Sequence, residues 1–142
     1  VNRFSRRAAA LTFAAALLGA YVPSSAASNL VINQNSNHKS FTTKRGSTLT
    51  LSLNSTYWTI APKGAGSVVT SVGKEKVKAI LPGPNAPTGC KIAGMGCGTV
   101  TMHFKAMKIG RTLITASRVS CGEALLCSPA QKTFSIKVVV VK

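Results

Sequence analysis

Residues 99–117 read TVTMHFKAMKIGRTLITAS. Val100, Met102, Phe104 and Ala106 alternate with Thr99, Thr101, His103 and Lys105. After a turn at Ile109-Gly110, Thr112, Ile114 and Ala116 alternate with Leu113, Thr115 and Ser117. An apolar period of two marks a strand with one face buried and one in water. The same pattern recurs on both sides. Leu49, Leu51 and Leu53 alternate with Thr48, Thr50 and Ser52, and Phe134, Ile136, Val138 and Val140 alternate across the last run. Weaker strand signals lie at 57–60, 68–72 and 76–80, with a further one at 30–32 or 39–43. The region has no sustained 3.6-residue apolar period. Seven or eight short strands with Gly and Pro between them predict an all-β, antiparallel sandwich. A long connection from Leu81 to Gly98, with three prolines and five glycines, interrupts them. Loops of that length are usually functional or stapled.

The first 27 residues read as an address. Arg3, Arg6 and Arg7 precede an apolar run from Ala8 to Ala20, too short for a spanning helix. Ser25 and Ala27 suit the −3 and −1 positions of a signal peptidase site. We expect a signal peptide over 1–27, of the ordinary export kind rather than twin-arginine, and one domain over 28–142. The residue just after the leader, Ser28, is not a cysteine that could take a lipid, and no apolar tail follows the last strand. The expectation is a free secreted protein, extracellular or periplasmic, with no membrane span.

The chain carries 18 Lys and Arg, two acids (Glu75 and Glu123) and no Asp, for a net charge of +16. Without the three leader arginines, fifteen cations against two acids leave +13. So few carboxylates exclude aspartyl dyads, paired-carboxylate glycosidases, EF-hands and two-metal phosphoryl transfer. His38 and His103 read as surface histidines. No catalytic residue, metal site or cofactor is expected, and the protein is read as a non-enzyme.

Cys90, Cys97, Cys121 and Cys127 all follow the leader, and an even count behind an export signal reads as two disulfides. The spacings favour two local loops, 90 to 97 and 121 to 127, over cross-links between the loops. They do not match the closer pairs of zinc ribbons.

Trp58 reads as a core anchor, with Tyr57 pointing the other way. Glu123 is expected to pair with Arg118 across the late loop, and Glu75 to sit in a solvated turn. Lys74, Lys76 and Lys78 alternate and should share a face. The remaining cations are scattered over outward strand positions and turns, which favours attraction to acidic polymers. Interleaved aromatics and nucleic-acid motifs are missing, so specific nucleic-acid binding is not expected.

Gly94-Met95-Gly96-Cys97-Gly98 precedes the strand at 99–106, and Arg118-Val119-Ser120 follows the strand ending at Ser117. Asn54, Thr56 and Trp58 follow the strand at 48–53. In this order the chain resembles the chagasin family of inhibitors of papain-like cysteine peptidases. That family places N-P-T-T-G in an early loop, G-x-G in a middle loop and R-P-W in a late loop. Asn85-Ala86-Pro87-Thr88-Gly89 is closer to the first motif letter by letter but follows the middle strands. The resemblance implies an immunoglobulin-like fold whose three loops enter a peptidase cleft, with Asn54, Thr56, Gly94, Met95, Gly96 and Arg118 as contact residues. Bacterial immunoglobulin-like domains share the same strand pattern. The leading expectation is a secreted, non-enzymatic binding domain whose loops 81–98 and 118–129 form the recognition surface. The alternatives are inhibition of a papain-like cysteine peptidase and binding of anionic surface polymers.

Overall fold

The computed structural model describes residues 28–142. The expected signal peptide lies outside them. The strands are β1 (Asn29–Asn33), β2 (Ser40–Lys44), β3 (Thr48–Asn54), β4 (Thr59–Ile60), β5 (Val69–Ala79), β6 (Gly98–Ala106), β7 (Gly110–Ser117), β8 (Ser120–Gly122), β9 (Leu125–Leu126) and β10 (Thr133–Val141). A 3₁₀ turn at Gln34–Ser36 follows β1, and a single helical turn, α1 (Pro129–Lys132), precedes β10.

Two four-stranded sheets face each other, ordered β1-β3-β6-β5 and β2-β10-β7-β4, with a small β8-β9 hairpin apart. The alternating apolar residues point inward from both. Leu49, Leu51 and Leu53 of β3, Val100, Met102 and Phe104 of β6, Ile114 of β7 and Phe134, Ile136 and Val138 of β10 are all buried in one core. Period-two patterning therefore located the interior correctly, and the sandwich is as expected.

Four expectations need correction. The sheets are not wholly antiparallel: β1 adds parallel to β3, and β2 adds parallel to β10. The chain crosses between sheets at the 3₁₀ turn and again at Arg45–Ser47, so each of the first two strands lands on a sheet edge beside a strand running its own way. The runs at 68–72 and 76–80 are one strand, β5, whose register slips between Val72 and Lys76. A bulge adds unpaired residues without ending a strand. It also breaks the lysine alternation. Lys76 and Lys78 pair with Thr101 and Thr99, whereas Lys74 falls in the unpaired bulge. The same bulge carries Glu75 to β4, where its Oε2 accepts the Ile60 N–H at 2.6 Å. Glu75 is thus a partner for an edge strand, not a solvated turn.

Candidate functional site: three loops at one end

β6 pairs antiparallel with both β3 and β5, and β7 pairs antiparallel with both β4 and β10. The short β3–β4 link fixes the two sheets relative to each other, so three connections cap the same end: residues 55–58, 80–97 and 118–132.

The first loop leaves β3 at Asn54, which is exposed. The buried Trp58 indole Nε1–H donates to the Asn54 carbonyl at 3.1 Å and closes the loop. Trp58 also meets Phe134 edge-on, with ring centroids 6.4 Å apart, so it is the core anchor expected. Between them Ser55 has φ of 107°, a left-handed conformation that side chains with a Cβ rarely adopt.

The middle loop rides on the first. The Ser55 N–H donates to Gly98 O and the Thr56 N–H to Gly96 O, both at 2.8 Å. The Tyr57 hydroxyl donates to the Gly94 carbonyl. This interlock explains the spacing of the Gly94-Met95-Gly96-Cys97-Gly98 run. A Cβ on Gly96 would run into the Tyr57 ring, and one on Gly98 into the Lys78 carbonyl. Met95, between Gly94 and Gly96, is exposed. Cys90 and Cys97 are disulfide-bonded, Cα atoms 5.7 Å apart, and the Ile80 N–H donates to Cys97 O at 3.0 Å where the loop leaves β5. A groove of about 380 Å³ runs between the two loops, bounded by Asn54, Pro87, Met95 and Thr99. The Asn85–Gly89 stretch belongs to this middle loop and reaches the groove through Pro87.

The late loop folds back as the β8–β9 hairpin, closed by Cys121–Cys127 with Cα atoms 5.0 Å apart. Both disulfides are therefore the local ones, and with all four sulfurs bonded to each other no thiolate is left to bind zinc. Among the described residues no three His, Cys, Asp or Glu side chains converge.

Arg118 does not pair with Glu123 as expected. Its guanidinium lies over the Trp58 ring, 4.5 Å from the centroid, and its Nε–H donates to Gln131 O at 3.0 Å. The aromatic face belongs to the buried Trp58, and such a contact is worth more than an exposed ion pair. Partial burial lowers the Arg118 pKa from its ordinary value, but a guanidinium remains charged at any working pH. Glu123 lies against Gly94 instead, so the middle and late loops touch.

Asn54, Thr56, Gly94, Met95, Gly96 and Arg118 all lie at this end of the sandwich. Sequence reasoning missed Tyr57, which it turned away from the site, and Glu123 as a loop–loop contact. It also missed the apolar rim. Leu81 is 80% and Leu126 73% exposed, and Ile92, Val119 and Leu125 are exposed beside them on the two stapled loops. The Leu125-Leu126 pair was legible as two large apolar residues outside any alternating strand.

No family model and no curated protein sequence matches the chain. Solved structures do. The cysteine protease inhibitor EhICP2 from Entamoeba histolytica superposes with a TM-score of 0.51 at 10% identity, over 80% of this chain and 95% of its own. The solution structure of amebosin gives 0.52 at 14% identity, over 80% and 99%. At such identities the likeness is one of fold, and it supports an immunoglobulin-like β-sandwich.

Proposed function

We propose that the protein is a non-enzymatic inhibitor that seats its three-loop end in the active-site cleft of a papain-like cysteine peptidase. The observation that carries this reading is the interlock of the loops. Backbone hydrogen bonds tie the first loop to the middle one, Glu123 of the late loop packs against Gly94 of the middle one, and each long loop is stapled. Loops ordered in advance lose less entropy on docking. Their exposed Leu81, Ile92, Met95 and Leu126 are the kind of side chains that protein interfaces bury. The fold shared with EhICP2, itself named a cysteine protease inhibitor, and the order of the loop motifs favour a peptidase over other protein partners. Val119 and Ser120 stand where the chagasin motif has Pro and Trp. In this chain the aromatic face beside Arg118 comes from Trp58, in the first loop. The export leader expected at 1–27 and the two disulfides favour a peptidase outside the cytosol.

The test is titration of papain with the protein at physiological salt. Stoichiometric loss of activity is expected, weakened at least about tenfold by Met95→Asp, since a charge would be forced into a desolvated contact. Full papain activity at micromolar protein sinks the proposal.

A further inference from the structure

The opposite end of the sandwich is of another character. There the β2–β3 turn, the β6–β7 turn and the end of β10 meet. The Arg45 N–H donates to Val141 O at 2.9 Å and the Gly46 N–H to Ala106 O at 2.8 Å. The N–H groups of Met107 and Lys108 both reach Val68 O, at 2.9 and 3.2 Å. The turns are therefore held by their backbones, and their side chains are left for solvent. Arg45, Ile109 and Lys142 line one recess of about 420 Å³. Lys44 pairs with Val141, Arg111 with Val139, and Lys105 with Thr48, all in the last rungs of their ladders. Six cations thus surround this end.

No acidic side chain offsets them. The chain has two acidic side chains, and Glu75 is engaged by Ile60 while Glu123 of the late loop lies against the middle loop at the far end. At the centre of the cations the β6–β7 turn exposes two large apolar side chains, Met107 at 47% and Ile109 at 53%. Cations alone would suit any polyanion. An apolar tip ringed by cations suits a surface that is anionic outside and greasy beneath, because insertion rewards the apolar atoms and the phosphates reward the charges.

We propose that this end binds an anionic lipid bilayer, with Met107 and Ile109 entering the headgroup region and Lys44, Arg45, Lys105, Lys108, Arg111 and Lys142 meeting lipid phosphates. The site is independent of the loop end. The nine residues of β10 span about 30 Å, so a protein docked this way holds its three loops away from the membrane and free for a second partner.

Sedimentation with phosphatidylserine–phosphatidylcholine vesicles at physiological salt tests this. Binding is expected that pure phosphatidylcholine does not support. Arg45→Ser and Lys108→Ser should each weaken it about fivefold, and Met107→Ser with Ile109→Ser should weaken it at unchanged charge. Lys76→Gln with Lys78→Gln removes two charges from the face of β5 and should leave binding unaltered. An Ile109→Trp variant should shift its emission to the blue on vesicles, against a Trp58 that is already buried. The proposal is overturned by absence of serine-lipid-dependent binding. Equal loss in the Lys76/Lys78 variant would overturn it too, by reducing the effect to net charge. So would undiminished binding by the Met107/Ile109 variant together with full competition by heparin, which would mark a site for soluble polyanions.

Discussion

Ser55 shows how much one dihedral decides. Its φ of 107° and its N–H bond to Gly98 are both closed to proline, which holds φ near −65° and has no N–H. The chagasin motif has Pro at this point, so the first loop here keeps the motif's place by another route. Ser55→Pro should cost more than about 1 kcal/mol and uncouple the first two loops, seen as a lower urea midpoint with faster exchange of the Thr56 amide, which donates to Gly96 O. Gly96→Ala meets the Tyr57 ring at φ of 63° and should cost about 1–3 kcal/mol by overpacking. Pairing it with Tyr57→Ala should recover part of that loss, and strict additivity in a double-mutant cycle would refute the contact. The glycine run was plain in the sequence, but its reason was not, because the ring it accommodates lies about forty residues earlier. Arg118 illustrates the same limit. Sequence proximity suggests Glu123, whereas the pairing of β4 with β7, Thr59 opposite Ser117, brings Trp58 beside Arg118.

Among elements, the disulfide loops were legible and the sheet edges were not. Four cysteines in two short spacings leave few alternatives, and the 81–98 connection is marked by Pro and Gly. Replacing Cys90 and Cys97 together by Ser should lower stability by about 2–3 kcal/mol on the chain-entropy account. The loop would stay tethered through Thr56 and Ser55, so the core should persist while peptidase inhibition falls further than stability does. Parallel inhibition and unfolding assays would separate the two, and inhibition unchanged in the reduced loop would deny it a recognition role. β5 was read as two strands because a bulge resets the alternation without any turn residue beyond Gly73. β1 and β2 gave faint signals because each is five residues long with a single fully inward side chain, Ile32 or Thr43. Whether such a strand pairs parallel or antiparallel depends on where the chain crosses over.

For the molecule as a whole, alternation identified which residues are inside but not which strands are neighbours. The three residues between β6 and β7 would suit a hairpin. Instead the chain arches from one sheet to the other, and Phe104 and Ile114 bury themselves in the same core from opposite walls. The strand that opens the fold is part of that closure. Ile32→Ala should cost about 2–4 kcal/mol, whereas Val31→Ala, at a side chain 65% exposed, should change stability by less than about 0.5 kcal/mol. Equal effects on the thermal midpoint would mean that β1 merely decorates the edge. The other flank carries a quieter safeguard. With the Glu75 carboxylate on the Ile60 N–H, β4 has lost an open donor through which a second molecule would extend its sheet. One of the two acids in a chain so rich in lysine is thereby spent on keeping copies of the protein from joining strand to strand, which matters most when it is crowded at high concentration.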